Sequence, residues 1–191
     1  IIFILLLSLS NLTKSYSIEP DVFVQSTVNK ASSVLSSEKS LEKKISKLKK
    51  IAEETVDIRG IGFYTLGSVR KTLNDEQKKK YAELFEQYFL KSFSSRLAEY
   101  TNPEISVEGK KILNENYTIV NSLLKGTNER PEIKIDWRIY TKNPNEPLIR
   151  DLIIEGLSLA RTQKEEFQSI LNSNDGNIES LFDALEKFTN N

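Results

Sequence analysis

Cysteine, histidine and methionine are absent from the 191-residue sequence. A chain without cysteine forms no disulfide bond, holds no metal through thiolates and has no thiol nucleophile. A chain without histidine lacks the usual general base near neutral pH and the commonest protein ligand for metals. Ser-His-Asp and Cys-His catalysis are therefore excluded, and only carboxylate, lysine or tyrosine chemistry stays open. We expect no metal site and no cofactor.

An excess of charge of either sign is also absent, since Lys plus Arg and Asp plus Glu both number 27. A nucleic-acid-binding protein normally carries a basic excess that neutralises phosphates, so the composition argues against a nucleic-acid partner. Hydrophobic residues make up 38% of the chain and charged residues 28%. These fractions are typical of a folded domain with a packed core.

The sequence begins with a short apolar run, Ile1–Leu7, followed by small residues suitable for cleavage at Ser8 and Ser10. The run is much shorter than the ~18 apolar residues that span a bilayer. Its length and flanks are typical of the hydrophobic part of a signal peptide. We therefore expect a truncated signal peptide over residues 1–17, without its initiator methionine, and one domain over residues 18–191. The alternative is a buried N-terminal strand or helix.

A signal peptide implies export from the cytoplasm. An exported protein without cysteine suits a Gram-negative periplasm better than the extracellular medium, where small domains are usually stabilised by disulfides. The sequence therefore predicts a periplasmic protein.

Apolar residues recur at helical spacing through the N-terminal half and predict four helices. Their predicted ranges are 18–35, 41–56, 58–70 and 74–100. Asp57 is placed to cap the third helix, and Asn74 with Gln77 is typical of a capping box for the fourth.

Three glycines, Gly60, Gly62 and Gly67, lie inside the third predicted helix. Each destabilises a helix by up to ~1 kcal/mol relative to alanine. Either the segment bends, or another group packs closely against its backbone. Glycines that allow bending could also let the mouth of a cavity open.

The fourth predicted helix carries an aromatic stripe. Its apolar positions are Tyr81, Leu84, Phe85, Tyr88, Phe89, Phe93, Leu97 and Tyr100. Aromatic stripes usually belong to an ordinary core, so the stripe by itself is weak support for a ligand site.

After Pro103 the pattern changes from helical to alternating. Strands are predicted near residues 105–107, 117–123, 133–139 and 148–155, followed by helices over 163–171 and 178–188. In the last strand, Leu152 and Ile154 are expected on one face and Ile149 and Ile153 on the other. The sequence thus predicts an α+β fold. A curved antiparallel sheet of about four strands packs against the helical N-terminal half and the C-terminal helices.

Two carboxylates, Asp136 and Asp151, lie on neighbouring predicted strands and could approach each other. Such a pair could serve glycoside hydrolysis. Cross-strand ion pairs with Arg138 and Arg150 are the more ordinary explanation. Glu155 precedes a glycine at the end of a strand, where it could fix a turn or bind a backbone N–H.

Two motifs carry a family resemblance. The first is residues 56–67, VDIRGIGFYTLG, followed by the aromatic helix, and the second is residues 148–159, LIRDLIIEGLSL, followed by Phe167. Together with the strand 135–139, these motifs give a resemblance that covers about residues 20–189. They resemble the MlaC family of phospholipid-binding auxiliary proteins of ABC transporters, also called the toluene-tolerance family.

The resemblance implies a soluble periplasmic protein that binds phospholipid and is not an enzyme. Such proteins carry phospholipid between an outer-membrane lipoprotein complex and an inner-membrane ABC transporter complex of the MCE type, and so maintain outer-membrane lipid asymmetry. The acyl chains lie between a curved sheet and the helices, and the headgroup faces solvent.

Ten residues are predicted to line the lipid cavity, and no residue is predicted to be catalytic. They are Ile61, Tyr64, Leu66, Phe89, Phe93, Trp137, Ile139, Leu152, Ile154 and Leu159. Each could equally belong to an ordinary core, because a cavity wall and a core look alike in sequence.

Two other functions stay open from the sequence. A small periplasmic hydrolase would need Asp136, Asp151 or Glu155 to converge in a polar cleft. A ligand-free interaction or scaffold protein would show a filled core without a cavity.

Overall fold

The computed structural model describes residues 17–128 and 130–191. The predicted signal peptide therefore lies outside the described residues, apart from Ser17. The helices of the described part are α1 Pro20–Ser37, α2 Leu41–Thr55, α3 Ile58–Thr65, α4 Asp75–Ala98, α5 Leu159–Asn172 and α6 Ile178–Asn190, with a 3₁₀ helix at Val69–Lys71. The strands are β1 Ile105–Asn114, β2 Tyr117–Leu124, β3 Ile133–Tyr140, β4 Leu148–Ile154 and β5 Leu157–Ser158. The predicted α+β class is confirmed.

The strands form one open antiparallel sheet in the order β1-β2-β3-β4-β5. Long strands joined by short connections give this meander because consecutive antiparallel strands pair most readily with each other. The two-residue β5 was not predicted. It is too short to produce an alternating pattern in the sequence.

Local signals in the sequence fix where two helices begin. Asp57 Oδ1 accepts a hydrogen bond from the Gly60 backbone N–H at 2.8 Å, which caps α3 as predicted. Asn74 Oδ1 accepts from Gln77 N at 2.8 Å, and Asn74 N donates to Gln77 Oε1 at 3.1 Å. This reciprocal pair is the predicted capping box of α4.

The third helix is shorter than predicted, since it ends at Thr65 rather than near residue 70. Gly67 has a φ of +58°, a left-handed conformation that ends helices and favours glycine. The Gly67 N–H donates to Tyr64 O at 3.1 Å and satisfies one of the carbonyls at the helix end.

Gly62 marks a close approach between α3 and α4. A Cβ atom at this position would lie 2.7 Å from the ring of Phe85. Of the two explanations offered for the glycines, close packing therefore applies to Gly62. The bend at Gly67 accounts for the end of the helix.

The turn between β4 and β5 consists of Glu155 and Gly156, with φ values of +48° and +84°. Positive φ at both central residues is typical of a two-residue hairpin turn. Glu155 Oε1 also accepts a hydrogen bond from Lys134 N at 2.5 Å. The interpretation of Glu155 as a turn residue that binds a backbone N–H is confirmed.

A β-bulge in β4 changes which side chains face the helices. Ile149 pairs with Ile139, whereas Asp151 pairs with Arg138 and Leu152 with Trp137. The inserted Arg150 shifts the alternation by one residue, because a bulge places two residues opposite one. The expectation that Ile149 and Leu152 lie on opposite faces is therefore wrong.

The core lies between the helices and one face of the sheet. Its largest fully buried side chains are those of Tyr81, Phe85 and Phe182. Tyr81 Oη lies 2.7 Å from the hydroxyl of Thr65, so the buried phenol has a hydrogen-bond partner. Within the described ranges, no helix combines the length and apolarity that crossing a bilayer requires.

Candidate functional site

A cavity of about 210 Å³ lies between α4, α5 and the inner face of the sheet. It is lined by Val56, Ile61, Phe85, Tyr88, Phe89, Ser92, Phe93, Arg96, Trp137, Ile149, Asp151, Leu152, Leu159, Ala160, Thr162, Gln163 and Glu166. Most of these side chains are apolar, and the exposed charged ones are Arg96 and Glu166. The space therefore suits an apolar ligand with a polar end.

The aromatic stripe of α4 forms one wall of this cavity. The ring centroids of Phe85 and Phe89 are 6.1 Å apart, and those of Phe89 and Phe93 are 5.4 Å apart with an interplanar angle of 11°. Phe89 and Phe93 are only half-buried, so part of their apolar surface borders empty space. A filled core would have covered them.

The sheet forms the opposite wall through Trp137 of β3 and Leu152 of β4, which are direct cross-strand neighbours. The Trp137 indole N–H donates to Ser122 Oγ at 2.8 Å. This bond satisfies the one polar atom of the ring and turns its apolar body toward the cavity.

Three polar side chains, joined by hydrogen bonds, border the cavity between α4 and α5. Tyr88 Oη donates to Gln163 Oε1 at 2.7 Å, and Gln163 Nε2 donates to Glu166 Oε2 at 2.9 Å. Burial raises the pKa of the Tyr88 phenol, with a further upward contribution from the Glu166 carboxylate. Tyr88 is therefore a neutral hydrogen-bond donor at physiological pH.

Asp151 is only 3% exposed and holds the beginning of α5 against β4. Its Oδ2 accepts from Ser158 Oγ at 2.6 Å, and its Oδ1 accepts from Ala160 N at 3.0 Å. Because both oxygens are occupied, this carboxylate positions a cavity wall. The nearest guanidinium nitrogen of Arg138 lies 3.8 Å from Oδ2.

The three carboxylates considered for catalysis have separate structural contacts. Asp136 lies opposite Ile153 rather than Asp151, and its Oδ1 accepts from Asn121 Nδ2 at 2.8 Å. Glu155 binds the backbone of β3 and Asp151 binds the start of α5. The hydrolase interpretation therefore has no geometric observation in its favour among the described residues.

A second cleft, of about 330 Å³, lies on the other side of a wall formed by Ile61, Asp151 and Ala160, which border both spaces. Arg150 lines it, but its Nε donates to Asp57 Oδ2 at 2.5 Å. Arg138 also lines it, and its buried Nε has no hydrogen-bond partner among the described residues.

Larger hollows of about 450 and 490 Å³ occur elsewhere on the surface. The first is lined entirely by polar and charged side chains between Lys164 and Ser173. The second places Ile58 and Phe63 among lysines and acidic side chains. Charged and polar groups predominate in both, so the smaller cavity between α4, α5 and the sheet is the better candidate for a lipid chain.

The structure brings six of the ten predicted residues together around this cavity. They are Ile61, Phe89, Phe93, Trp137, Leu152 and Leu159. Leu66 and Ile139 are fully buried in the core, and Tyr64 is 42% exposed beside the second cleft. Ile154 is half-buried and does not line the cavity. As lipid contacts, all ten stay predictions.

Sequence reasoning missed the polar half of the cavity. Ser92 and Arg96 lie three residues after Phe89 and Phe93, so helical spacing could have found them. Gln163 and Glu166 lie inside the predicted helix 163–171, but α5 begins four residues earlier, at Leu159, so the predicted helix lacked the cavity residue that marks their face. With the correct start, Leu159, Thr162, Gln163 and Glu166 share one face.

A solved structure has the same fold. The phospholipid-binding protein from Ralstonia solanacearum, determined at 1.53 Å resolution in complex with a phospholipid, superposes on this chain with a TM-score of 0.75. The two sequences are 18% identical, and the similarity covers 90% of this chain and 97% of that chain. No curated protein sequence gives a significant match.

The sequence also matches a known family over most of its length. Residues 25–187 match the family described as MlaC protein. This range includes both motifs that carry the resemblance and all of the residues that line the cavity. The chain therefore belongs to the MlaC family.

Proposed function

We propose that this protein binds a phospholipid and carries it through the periplasm as part of a lipid-trafficking ABC transport system that maintains outer-membrane lipid asymmetry. The observation that carries the proposal is the apolar cavity between the Phe89–Phe93 stack and Trp137, with charge at its mouth. The acyl chains occupy this cavity. Membership of the MlaC family and the phospholipid held by the related Ralstonia solanacearum protein support the same ligand.

The physical need for such a carrier comes from the acyl chains. Exposing each buried methylene group to water costs about 0.8 kcal/mol, so a two-chain lipid does not diffuse freely between membranes. A protein that supplies an apolar cavity removes this barrier without any catalytic group. We accordingly propose a binding protein and not an enzyme.

The cavity must widen when the lipid enters. Its volume of about 210 Å³ lies below the roughly 300–1,000 Å³ typical of pockets for drug-sized ligands. The half-buried rings of Phe89 and Phe93 and the short helix α3 border the space that would grow.

The partners are proposed from the family. The carrier would receive or deliver lipid at an outer-membrane lipoprotein complex and at an inner-membrane MCE-type ABC transporter complex. Fractionation of the cells that naturally produce this protein tests the location, and capture of either complex by the loaded protein tests the partners. Recovery in the cytoplasm alone would contradict the proposal.

Lipid binding is tested by loading the purified full chain from phospholipid vesicles and measuring bound lipid by native mass spectrometry. Leu152→Trp fills the cavity and should reduce bound phospholipid about fivefold, which corresponds to about 1 kcal/mol of lost contact. Ile153→Trp is the matched control, because Ile153 is its half-buried neighbour and does not line the cavity. Absence of bound lipid from the unmodified chain, or equal loading of both variants, would contradict the proposal.

A further inference from the structure

The mouth of the cavity carries two opposite charges that form no ion pair within the described part of the chain. Arg96 projects from α4 and Glu166 from α5, and both are exposed and line the cavity. Neither belongs to an ion pair with any described residue, and no N–O contact within 4.0 Å joins them to each other. Both charges are therefore available to a ligand at this mouth.

Both charges act on the same polar side chain, the phenol of Tyr88. Glu166 Oε2 accepts the hydrogen bond from Gln163, which in turn accepts from Tyr88. The pKa of Tyr88 is raised first by burial and then by Glu166, while Arg96 acts in the opposite direction. Both charged groups thus lie within electrostatic reach of one phenol at the edge of the cavity.

The third charged residue in the lining, Asp151, cannot play the same part. Its carboxylate is buried and already accepts hydrogen bonds from Ser158 and Ala160. The remaining lining is apolar or carries neutral polar groups. A ligand whose chains fill the cavity therefore meets one available cation and one available anion where it leaves the protein.

We propose that Arg96 and Glu166 form a headgroup site that favours a phospholipid with a primary ammonium group. The inference rests on the proposed function. A guanidinium binds phosphate oxygens through parallel N–H bonds, and a carboxylate accepts from ammonium N–H groups. Phosphatidylethanolamine supplies both groups. Phosphatidylcholine has no ammonium N–H, and phosphatidylglycerol has no cation for Glu166.

The first test measures headgroup preference by competition. The full chain is loaded from vesicles with equal amounts of phosphatidylethanolamine, phosphatidylcholine and phosphatidylglycerol of the same acyl chains, and the bound lipids are quantified by mass spectrometry. We expect Glu166→Gln to lower the bound ratio of phosphatidylethanolamine to phosphatidylglycerol about threefold. Glu165→Gln is the matched control, because it makes the same charge change one residue away, outside the cavity lining.

The second test concerns the phosphate. Competition between a phospholipid and the diacylglycerol with the same chains isolates the phosphate contribution. We expect Arg96→Gln to lower the bound ratio of phospholipid to diacylglycerol about fivefold. Arg96→Lys should restore part of it. Arg161→Gln, an exposed arginine on α5 that does not line the cavity, should leave the ratio unchanged.

The outcomes separate this inference from the proposed function. If the unmodified chain takes up no lipid, the proposed function fails. If it takes up lipid but Glu166→Gln and Glu165→Gln give the same ratio, the headgroup site is overturned alone. A loss caused by Arg138→Gln and not by Arg96→Gln also overturns it, because the headgroup would then lie in the second cleft.

Discussion

Asp57 and Arg150 join the beginning of α3 to the bulge of β4. Asp57 Oδ2 accepts from Arg150 Nε at 2.5 Å, and a second guanidinium nitrogen of Arg150 also lies 2.5 Å from this oxygen. The other carboxylate oxygen of Asp57 caps α3. The same pair therefore fixes both a helix that borders the cavity and the strand that supplies Leu152.

We expect Asp57→Ala to lower the free energy of unfolding by about 2–3 kcal/mol, because it removes a helix cap and a charge-assisted hydrogen bond together. Arg150→Ala leaves the cap in place but also removes a hydrogen bond to Tyr117 Oη at 3.0 Å, so we expect it to lower the free energy of unfolding by a similar amount. Urea denaturation of both variants and of the double variant measures the coupling between them. Strictly additive losses would show that the two residues do not interact energetically.

The close approach of Gly62 to Phe85 predicts a steric cost. Gly62→Ala places a methyl group against the ring, and we expect it to destabilise the protein by about 1–3 kcal/mol. Gly109→Ala is the control, because a Cβ atom at that position would meet no described atom within 4 Å. Equal unfolding midpoints for the two variants would show that α3 yields easily to a larger residue.

Because Phe89 forms part of the cavity wall, we expect its replacement to weaken lipid binding without unfolding the protein. Phe89→Ala removes apolar surface that borders the cavity, and about 1 kcal/mol of lost contact corresponds to about fivefold weaker binding. Phe63→Ala is matched to it, since Phe63 is also half-buried but lies outside the cavity. Emission of Trp137, the single tryptophan, provides the binding signal.

Stability should fall with rising pH above about pH 10, where unfolded tyrosine ionises. Burial raises the pKa of Tyr81 and of Tyr88 in the folded protein. At pH values between the unfolded and folded pKa, the folded state binds more protons, so alkali favours unfolding. The stabilisation is complete below about pH 10 and is lost as the pH rises further.

Tyr81→Phe checks the alkaline effect, since phenylalanine cannot ionise. Lys80 and Lys110 contribute to the same loss of stability, because their raised pKa values mean that the folded state keeps protons that the unfolded state has released. Tyr81→Phe and the unmodified protein are therefore compared by the slope of the unfolding free energy against pH. We expect a shallower slope for Tyr81→Phe, and identical slopes would exclude Tyr81 as a source of alkaline sensitivity.

Features that depend on a few neighbouring residues could be predicted. The Asp57 cap, the Asn74–Gln77 capping box and the Glu155–Gly156 turn each involve residues at most three apart. The alternation of Ile135, Trp137 and Ile139 likewise places one face of β3 toward the helices. Backbone sterics and local hydrogen bonds decide these features, so the α+β class follows from the sequence.

Other features depend on which elements meet. No local sequence pattern around Arg150 predicts the bulge that places Ile149 and Leu152 on one face. The bulge is a feature of the pairing between β4 and β3, so it depends on residues of both strands. The hydrogen bond between Tyr88 and Gln163 joins residues 75 positions apart. This contact at the polar edge of the cavity therefore could not be predicted from either helix alone.

The residues around the cavity show most clearly which features the sequence predicts and which depend on tertiary packing. The sequence by itself determined that Phe89, Trp137, Leu66 and Ile139 are apolar and lie on inward faces of their elements. Only the tertiary structure decided that Phe89 and Trp137 border empty space while Leu66 and Ile139 are closed into the core. Periodicity fixes the direction of a side chain, but the distance between packed elements fixes whether it meets a neighbour or a cavity.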